Sequence, residues 1–259
     1  MLTTSNLVFL ASMKLITNIF RFFWRIWFYF LMIVTIIAIS PILLLVTAKE
    51  SCYPTFYKIL HVWGKTMLFL MGFRAEIEHT ERLIPHKSYM FSANHTSMID
   101  IMLIVAVFKD NPFVFVGKAE LAKIPIFGFF FKRTSIIVDR SNAESRIKVF
   151  EEANRRLKNG LSVCIFPEGL VPSDESIVLA DLKNGAFVLA IEHQIPIIPI
   201  SFYDCKRRFS YTFFSGGPGR LRVKVHAPIS TEGMRVEKDK IYLKEKVSSI
   251  LYNDLVANS

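Results

Sequence analysis

The chain has 259 residues, 52% of them hydrophobic, and carries a formal net charge of +10. That length holds one sizeable α/β domain, or one domain with an appendage. The positive charge favours anionic partners such as acidic lipid or phosphate-bearing substrates. We expect no nucleic-acid partner, because the sequence has no zinc-finger spacing and its basic residues lie among apolar ones. The cysteines, at positions 52, 164 and 205, are odd in number and far apart, so we expect a reducing compartment, with neither a disulfide framework nor a metal site.

The first part of the chain is predicted to be a membrane anchor. Residues 26–46 contain no charged side chain, and this run is long enough to cross a hydrocarbon core. A cleaved signal peptide would have a shorter basic leader and a shorter apolar run. A second apolar stretch, 56–73, contains two lysines and is predicted to lie as an amphipathic helix in the interface. We therefore assign residues 1–72 to a membrane anchor and residues 73–259 to a globular domain.

Basic residues precede the apolar run at positions 14, 21 and 25, which places the N-terminus in the cytoplasm by the positive-inside rule. A single crossing would export everything after residue 46. A hairpin of two helices dipping into one leaflet would keep the rest of the chain inside. The anchor residues alone leave both arrangements open.

From residue 73 onward, short β-rich runs alternate with helical runs. Strands are predicted at 74–77, 89–92, 113–116, 135–138, 162–166, 197–202 and 220–226. Helices are predicted at 97–107, 120–131, 143–158, 185–192 and 240–255. This alternation predicts an α/β domain with a mixed, largely parallel sheet flanked by helices. Polar residues follow four of these strands, and we expect them to share one edge of the sheet.

One of these strand ends contains a histidine and an aspartate five residues apart, His95 and Asp100. The spacing from Ser97 to Asp100 fits a capping box, in which Asp100 only starts a helix. The same carboxylate is also able to fix the tautomer of His95 and leave its other ring nitrogen free to accept a proton. The two interpretations are compatible, and this motif alone does not choose between them.

Longer motifs resemble those of the glycerolipid acyltransferases, above all the 1-acylglycerol-3-phosphate O-acyltransferase family. The family's first motif, Asn-His-x4-Asp, is matched by Asn94, His95 and Asp100. Its other motifs are matched in order by Lys-x-Glu-Leu at 118–121, Pro-x-x-Gly at 125–128, Asp-Arg at 139–140, Phe-Pro-Glu-Gly at 166–169, Lys-x-Gly-Ala at 183–186 and Pro-Ile-Ile-Pro at 196–199. The resemblance covers roughly residues 60–230 and implies catalysis by His95.

The resemblance implies which residues act and on what. His95 is the catalytic base and Asp100 orients it, with backbone N–H groups of the turn 94–97 as oxyanion donors. The expected substrate-binding residues are Asn94, Lys118, Arg140, Glu168, Gly169 and Lys183. The expected acceptor is lysophosphatidic acid and the expected donor is acyl-CoA or acyl carrier protein, with no metal or other cofactor. Because both donors are cytosolic, we expect the hairpin arrangement, with the enzyme on an anionic membrane surface at the cytoplasmic face. The phenylalanines at 127 and 129–131 line the acyl tunnel or belong to the core.

One position departs from the family pattern. The family commonly continues Phe-Pro-Glu-Gly with Thr-Arg-Ser, whereas this chain has Leu170 and Val171 after Gly169. In the family that arginine belongs to the acceptor site. Another lysophospholipid or a lyso-aminolipid therefore stays open as the acceptor. A non-catalytic lipid- or carrier-protein-binding module is disfavoured, because His95, Asp100 and Glu168 are all retained.

Overall fold

The computed structural model of the chain describes residues 4–139, 142–172 and 174–258. The α-helices in these ranges are α1 Thr4–Val46, α2 Tyr53–Leu70, α3 Ile99–Val107, α4 Phe127–Thr134, α5 Ala143–Lys158, α6 Gly185–Glu192, α7 Cys205–Arg208 and α8 Val236–Asn258. The strands are β1 Phe73–His79, β2 Met90–Ala93, β3 Phe113–Lys118, β4 Ile136–Val138, β5 Ser162–Ile165, β6 Ile197–Phe202 and β7 Gly219–Val225. Short 3₁₀ helices lie at Glu50–Cys52 and Ala119–Lys123.

The strands form one seven-stranded sheet in the order β1-β7-β6-β2-β5-β3-β4. Strands β6, β2, β5, β3 and β4 run parallel, whereas β7 is antiparallel to β6 and pairs in parallel with β1. Every residue of β2 and β6 is buried, as expected for central strands that are covered on both faces. All seven predicted strands are present, and the predicted mixed, largely parallel α/β fold is confirmed.

The predicted helix 120–131 is wrong in its middle. A 3₁₀ helix ends at Lys123 and α4 begins only at Phe127. Pro125 has no N–H for a helical bond. Ile126 takes φ 62° and ψ −59°, and Phe127 N–H bonds to the Pro125 carbonyl at 2.6 Å, which makes a γ-turn. This turn redirects the chain between the two helical segments.

Helices α1 and α2 form an antiparallel hairpin. Trp24 near the start of the contact donates its indole N–H to the Met71 carbonyl at 3.2 Å, and Trp63 donates to the Thr35 hydroxyl at 2.9 Å. Residues 12–46 of α1 are long and apolar enough to cross a membrane by length and composition, and the most apolar 18 residues of this segment have a mean hydropathy of 2.7. Most side chains of this segment are not buried against the protein, so an apolar face stays exposed.

The C-terminal half of the long helix is fastened to the rest of the chain at two points. At the middle of α1, Arg25 donates to the carbonyls of Ser210 and Thr212 at 2.6 and 2.9 Å. Just beyond the C-terminal end, Glu50 pairs with Arg155 and Arg156 at 2.7 and 3.1 Å. The buried residues of α1 belong to the same hydrophobic cluster as the sheet. The anchor and the α/β domain therefore share one core.

Candidate active site

The site lies where the carboxyl ends of the parallel strands meet. His95 follows β2, Lys118 ends β3, and Glu168 and Gly169 follow β5. All four line one cavity of about 1090 Å³ at that edge. The expectation that the polar strand ends share one edge is confirmed for these residues, whereas Arg140 lies outside the described residues.

His95 and Asp100 form the centre of the site. His95 Nδ1 lies 2.9 Å from Asp100 Oδ2, and the Asp100 side chain is fully buried while that of His95 is 20% exposed. The same carboxylate oxygen accepts the N–H groups of Thr96 and Ser97 at 2.7 and 2.8 Å. Asp100 therefore both closes the turn before α3 and orients the histidine, so the two interpretations hold together. With Nδ1–H donated to Asp100, Nε2 is the ring nitrogen that is free to accept a proton.

Ser97 completes this turn. Its hydroxyl accepts the Ile99 N–H at 3.2 Å, which supports the first turn of α3. The hydroxyl also donates to the Phe209 carbonyl at 2.5 Å. The turn that contains the histidine is thereby tied to the segment that follows α7.

Three of the four N–H groups predicted as oxyanion donors already have acceptors. The amide of His95 donates to Glu168, and the amides of Thr96 and Ser97 donate to Asp100. These three N–H groups already bond to carboxylates and are therefore not free for an oxyanion, and the prediction stays open for the fourth N–H of the turn, that of Asn94.

Glu168 lies directly behind the histidine. Its Oε1 accepts the His95 N–H at 2.6 Å and its Oε2 accepts the Ala180 N–H at 2.8 Å. The residue is only 2% exposed, and this burial raises the pKa of the Glu168 carboxyl. Glu168 therefore positions the main chain of His95. Its expected role in substrate binding, as an acceptor of a hydrogen bond from the acceptor hydroxyl, stays a prediction.

An aromatic ring holds the imidazole from one side. The rings of His95 and Phe166 stack with centroids 4.2 Å apart and an angle of 23° between planes. The ring of Phe166 in turn stacks with the ring of Phe115 in β3. Because Phe166 is the first residue of the Phe-Pro-Glu-Gly segment, that segment fixes both the ring and the main chain of His95. Sequence reasoning did not assign this role to Phe166.

The remaining predicted substrate-binding residues differ in their surroundings. Asn94 is 1% exposed, and its side-chain amide bonds to the N–H and carbonyl of Phe202 at 2.7 and 3.1 Å, joining the ends of β2 and β6. Gly169 lines the cavity with φ 80°, a conformation that favours glycine. Lys183 is exposed beside Asp181 at 3.7 Å and is not part of the cavity wall. Its N–H bonds to the Pro167 carbonyl at 2.7 Å, so its visible role is to hold the loop after β5.

Away from the dyad the cavity wall is mainly apolar. Residues of α1 and α2 form much of it, including Met32, Ile36, Leu43, Phe56 and Leu60. Of the predicted tunnel phenylalanines, Phe127, Phe130 and Phe131 line the cavity. Phe129 lies outside that wall, 44% exposed, and stacks with the Arg133 guanidinium at 3.6 Å.

The cavity runs along the length of β3. Tyr53 lines its far end and donates to the carbonyl of Phe113, the first residue of β3, at 2.8 Å. Lys118, the last residue of β3, lines the end near the dyad. Five residue steps of a strand span about 16 Å. The cavity is thus a long apolar slot with its polar groups at one end.

Two charged residues of the cavity wall were not predicted. They are Glu175, in the loop after β5, and Lys206, in α7 directly after β6. The signal for Lys206 was present in the sequence, since it follows a predicted strand in the same way as Lys118 does. Among the described residues, no group of three or more His, Cys, Asp or Glu side chains is placed to hold a metal ion.

Comparison with known proteins agrees with this geometry. The model of the acyltransferase family matches residues 74–203. An uncharacterized acyltransferase of Schizosaccharomyces pombe is 35% identical over 72% of this chain and 67% of its own length. The 1-acyl-sn-glycerol-3-phosphate acyltransferase alpha of Mus musculus is 34% identical over 68% of this chain and 62% of its own length. The chain thus spans about two thirds of the length of such relatives.

A crystal structure shares the fold. The 1-acyl-sn-glycerophosphate (LPA) acyltransferase of Thermotoga maritima superimposes with a TM-score of 0.77 over 93% of this chain and 97% of its own, at 21% identity. Together with this fold and site, the family model and the sequence relatives show that the chain is an acyltransferase. Within that class, the chain belongs to the 1-acyl-sn-glycerol-3-phosphate acyltransferase family, which confirms the resemblance found in the motifs.

Proposed function

We propose that the protein is a membrane-bound O-acyltransferase that moves a fatty acyl group from an acyl thioester to the free hydroxyl of lysophosphatidic acid, which gives phosphatidic acid. One observation carries this proposal: the His95–Asp100 pair, 2.9 Å apart, lies at one end of a long apolar cavity. A base beside a slot for a fatty chain fits acyl transfer to a lipid alcohol.

The dyad supplies the proton transfers. The acceptor hydroxyl gives its proton to Nε2 of His95 as its oxygen bonds to the thioester carbonyl carbon. Asp100 stabilises the resulting imidazolium through Nδ1–H. The carbon–sulfur bond then breaks, and the leaving thiolate takes the proton back from His95. The base is restored, and no covalent intermediate on the protein is required.

The two substrates are proposed to meet at this end of the cavity. Lys118 lines the cavity, and its proposed role is to donate a charge-assisted bond to the acceptor phosphate. The slot along β3 accommodates a fatty chain. The thioester is acyl-CoA or acyl carrier protein, and no further cofactor enters the proposed reaction.

The two attachments of α1 support the hairpin. From Arg25 to Val46 the helix rises about 31 Å, which matches the thickness of a hydrocarbon core. If this part of α1 crossed that core, the α/β domain would have to reach both sides of it, because the domain contacts Arg25 at the start of the span and Glu50 just beyond Val46. We therefore propose that α1 lies within one leaflet with its exposed apolar face in lipid. A cytosolic donor places the domain on the cytoplasmic face.

Arg21 and Arg25 contribute little to the orientation. Arg25 is 2% exposed and bonds to carbonyls of the loop after α7, as does Arg21. Their charges serve the contact between α1 and the domain. The basic residues left to contact anionic headgroups are the exposed lysines of the hairpin, Lys14 of α1 and Lys58 and Lys65 of α2.

The test is an acyl-transfer assay with the purified full chain in liposomes. Acceptors are lysophosphatidic acid, lysophosphatidylcholine and monoacylglycerol, each offered with acyl-CoA and with acyl carrier protein, and the His95→Ala protein is the blank. We expect phosphatidic acid as product and the highest kcat/KM for lysophosphatidic acid. A higher kcat/KM for an acceptor that lacks a phosphomonoester would overturn the proposed acceptor.

One observation favours a second candidate, the same chemistry on a different lysolipid. Val171 lines the cavity at the position where the family has its arginine, so an apolar side chain replaces a guanidinium in the acceptor region. The same acceptor series decides between the two candidates.

A further inference from the structure

The cavity wall contains a cation at a place that the family motifs do not mark. Among the described residues, Lys118 and Lys206 are the lysines of that wall, and no arginine contributes to it. Lys118 belongs to a family motif, whereas Lys206 does not. We propose that Lys206 supplies the second positive charge for the acceptor phosphate and so takes over the task of the arginine that Val171 replaces. This inference rests on the proposed acceptor, lysophosphatidic acid.

The position of the ammonium group supports this role. Lys206 Nζ donates to the carbonyl of Ile177 at 3.0 Å. Ile177 and Val171 lie in the same loop after β5, and both line the cavity. The side chain of Lys206 therefore extends from α7 to the loop in which Val171 takes the place of the family's arginine. An ammonium group has three N–H donors, and this bond uses one of them.

The main chain beneath Lys206 is held on both sides. Before it, Asp204 accepts the Arg222 N–H and Nε–H, both at 2.9 Å. Burial acts to raise the pKa of Asp204, but the hydrogen bonds from Arg222 outweigh it and hold that pKa below its usual value. After it, the Phe209 carbonyl accepts the Ser97 hydroxyl. Because Ser97 belongs to the His95–Asp100 turn, the main-chain position from which the Lys206 side chain extends is fixed relative to the dyad.

The described part of the wall has two acidic residues, Glu168 and Glu175, and both already have hydrogen-bond partners. Glu175 accepts the Thr212 hydroxyl at 2.6 Å, and this bond is the main cause that lowers the pKa of its carboxyl. A phosphomonoester has a charge of about −1.5 to −2 near neutral pH, and it attracts every cation at the polar end of the cavity. Two lysines on different elements, Lys118 at the end of β3 and Lys206 in α7, would hold it from two sides.

The test compares Lys206→Met with Arg207→Met. Arg207 is the next residue of α7, its side chain is 69% exposed, and it is not part of the cavity wall, so its variant loses the same charge nearby. Binding of a short-chain lysophosphatidic acid is measured by calorimetry without donor, with the matching monoacylglycerol as the phosphate-free ligand. KM and kcat are then measured with acyl-CoA. Thermal unfolding checks each fold, and Lys206→Gln is the second variant.

We expect Lys206→Met to weaken lysophosphatidic acid binding, and to raise its KM, by about tenfold to a hundredfold, the usual worth of one charged hydrogen bond. Monoacylglycerol binding and the Arg207→Met protein should change by less than about threefold. Lys206→Arg should keep wild-type binding. Adding Val171→Arg to Lys206→Met should restore most of the loss.

The outcomes separate this inference from the proposed function. If Lys206→Met and Lys206→Gln bind lysophosphatidic acid as wild type does, Lys206 is not in the phosphate site, while wild-type turnover leaves the function intact. If wild type binds lysophosphatidic acid but forms no phosphatidic acid, the function is overturned, and the binding series still decides the role of Lys206. If wild type does not bind lysophosphatidic acid, both are overturned.

Discussion

Glu168 holds the main chain of His95: its Oε1 accepts the histidine N–H at 2.6 Å. Asp100 holds the ring of the same residue through Nδ1 at 2.9 Å. Two carboxylates from different segments thus fix one residue at two points. His95 therefore has little freedom to turn away from the cavity. Each of the two contacts can be removed separately by mutation.

Glu168→Gln should lower kcat by about tenfold to a hundredfold, because a small displacement of the base is costly in rate. The amide cannot accept from both His95 and Ala180, so the histidine main chain should shift. KM for both substrates should change little. Steady-state kinetics beside the exposed control Glu192→Gln test this. An unchanged kcat together with a raised KM for the acceptor would instead assign Glu168 to the acceptor hydroxyl.

Glu168 should also couple stability to pH. Burial raises the pKa of its carboxyl in spite of the bonds from Ala180 and His95, so the folded protein keeps this proton to a higher pH than the unfolded chain. The stability that Glu168 contributes is complete below the unfolded pKa of about 4.3, and it declines as pH rises through the raised folded pKa.

Urea unfolding of wild type and Glu168→Gln between about pH 4 and about pH 8 measures this coupling. The free energy of unfolding of wild type should fall relative to that of the variant as pH rises. A difference that is constant with pH, or that grows in favour of wild type, would contradict the raised pKa.

His95→Ala should lower kcat by about 10²–10⁴, the usual contribution of a positioned base, with the fold intact. Asp100→Asn should cost nearly as much, since the orientation and stabilisation of the imidazolium are lost. Single-turnover assays on proteins with checked melting temperatures measure both effects. A folded His95→Ala protein with wild-type turnover is incompatible with the mechanism. An Asp100→Asn protein that melts early but turns over normally would leave Asp100 as a helix cap only.

Leu43→Trp should shift donor preference toward shorter acyl chains. Leu43 lines the cavity near Tyr53, away from the dyad, and it is 7% exposed. A larger ring there shortens the slot but leaves its polar end unchanged. The neighbouring Leu44 is 50% exposed and does not line the cavity, so Leu44→Trp is the matched control. Equal chain-length profiles for the two variants would mean that the acyl chain does not reach this end.

The hairpin predicts that both termini of the anchor region and the domain are on one side of the membrane. Asn6→Cys and Glu232→Cys, each at an exposed position, are placed singly in a protein in which Cys52 is replaced by Ser. Cys164 and Cys205 are fully buried and should not react. An impermeant thiol reagent should leave both positions unlabelled in intact cells and label both after lysis. Labelling of one position alone in intact cells would replace the hairpin with a crossing.

The sequence predicted the sheet well because most of its strands are short, apolar and bounded by turn residues. Helix α5 was predicted at its observed bounds, since its apolar stripe and the following Asn159-Gly160 stop are local signals. The helix predicted at 120–131 was wrong in its middle, where the chain forms a 3₁₀ segment, Pro125 and a γ-turn before α4. An isoleucine at positive φ is disfavoured on its own, and it is tertiary context that holds the γ-turn at Ile126.

The dyad was predictable because both of its members lie within one motif. The contacts that join distant segments were not. Glu168 was matched to a motif, but its bond to the His95 amide depends on how β2 and β5 pair. Lys206 reaches the cavity only because β6 lies beside β2. Arg25 looked like a topology signal, and its partners are carbonyls near residue 210.

The bonds from Arg25 to the loop carbonyls bear on how the protein can be handled. Ser210 and Thr212, whose carbonyls Arg25 holds, also line the cavity, and α1 itself supplies part of the wall. Deleting the first helix to obtain a soluble variant would therefore open the slot to water and release one side of its polar end. A more soluble variant is better sought by replacing exposed apolar residues of α1, such as Phe23 and Phe30, which are 64% and 52% exposed. Such replacements leave every contact of Arg25 in place.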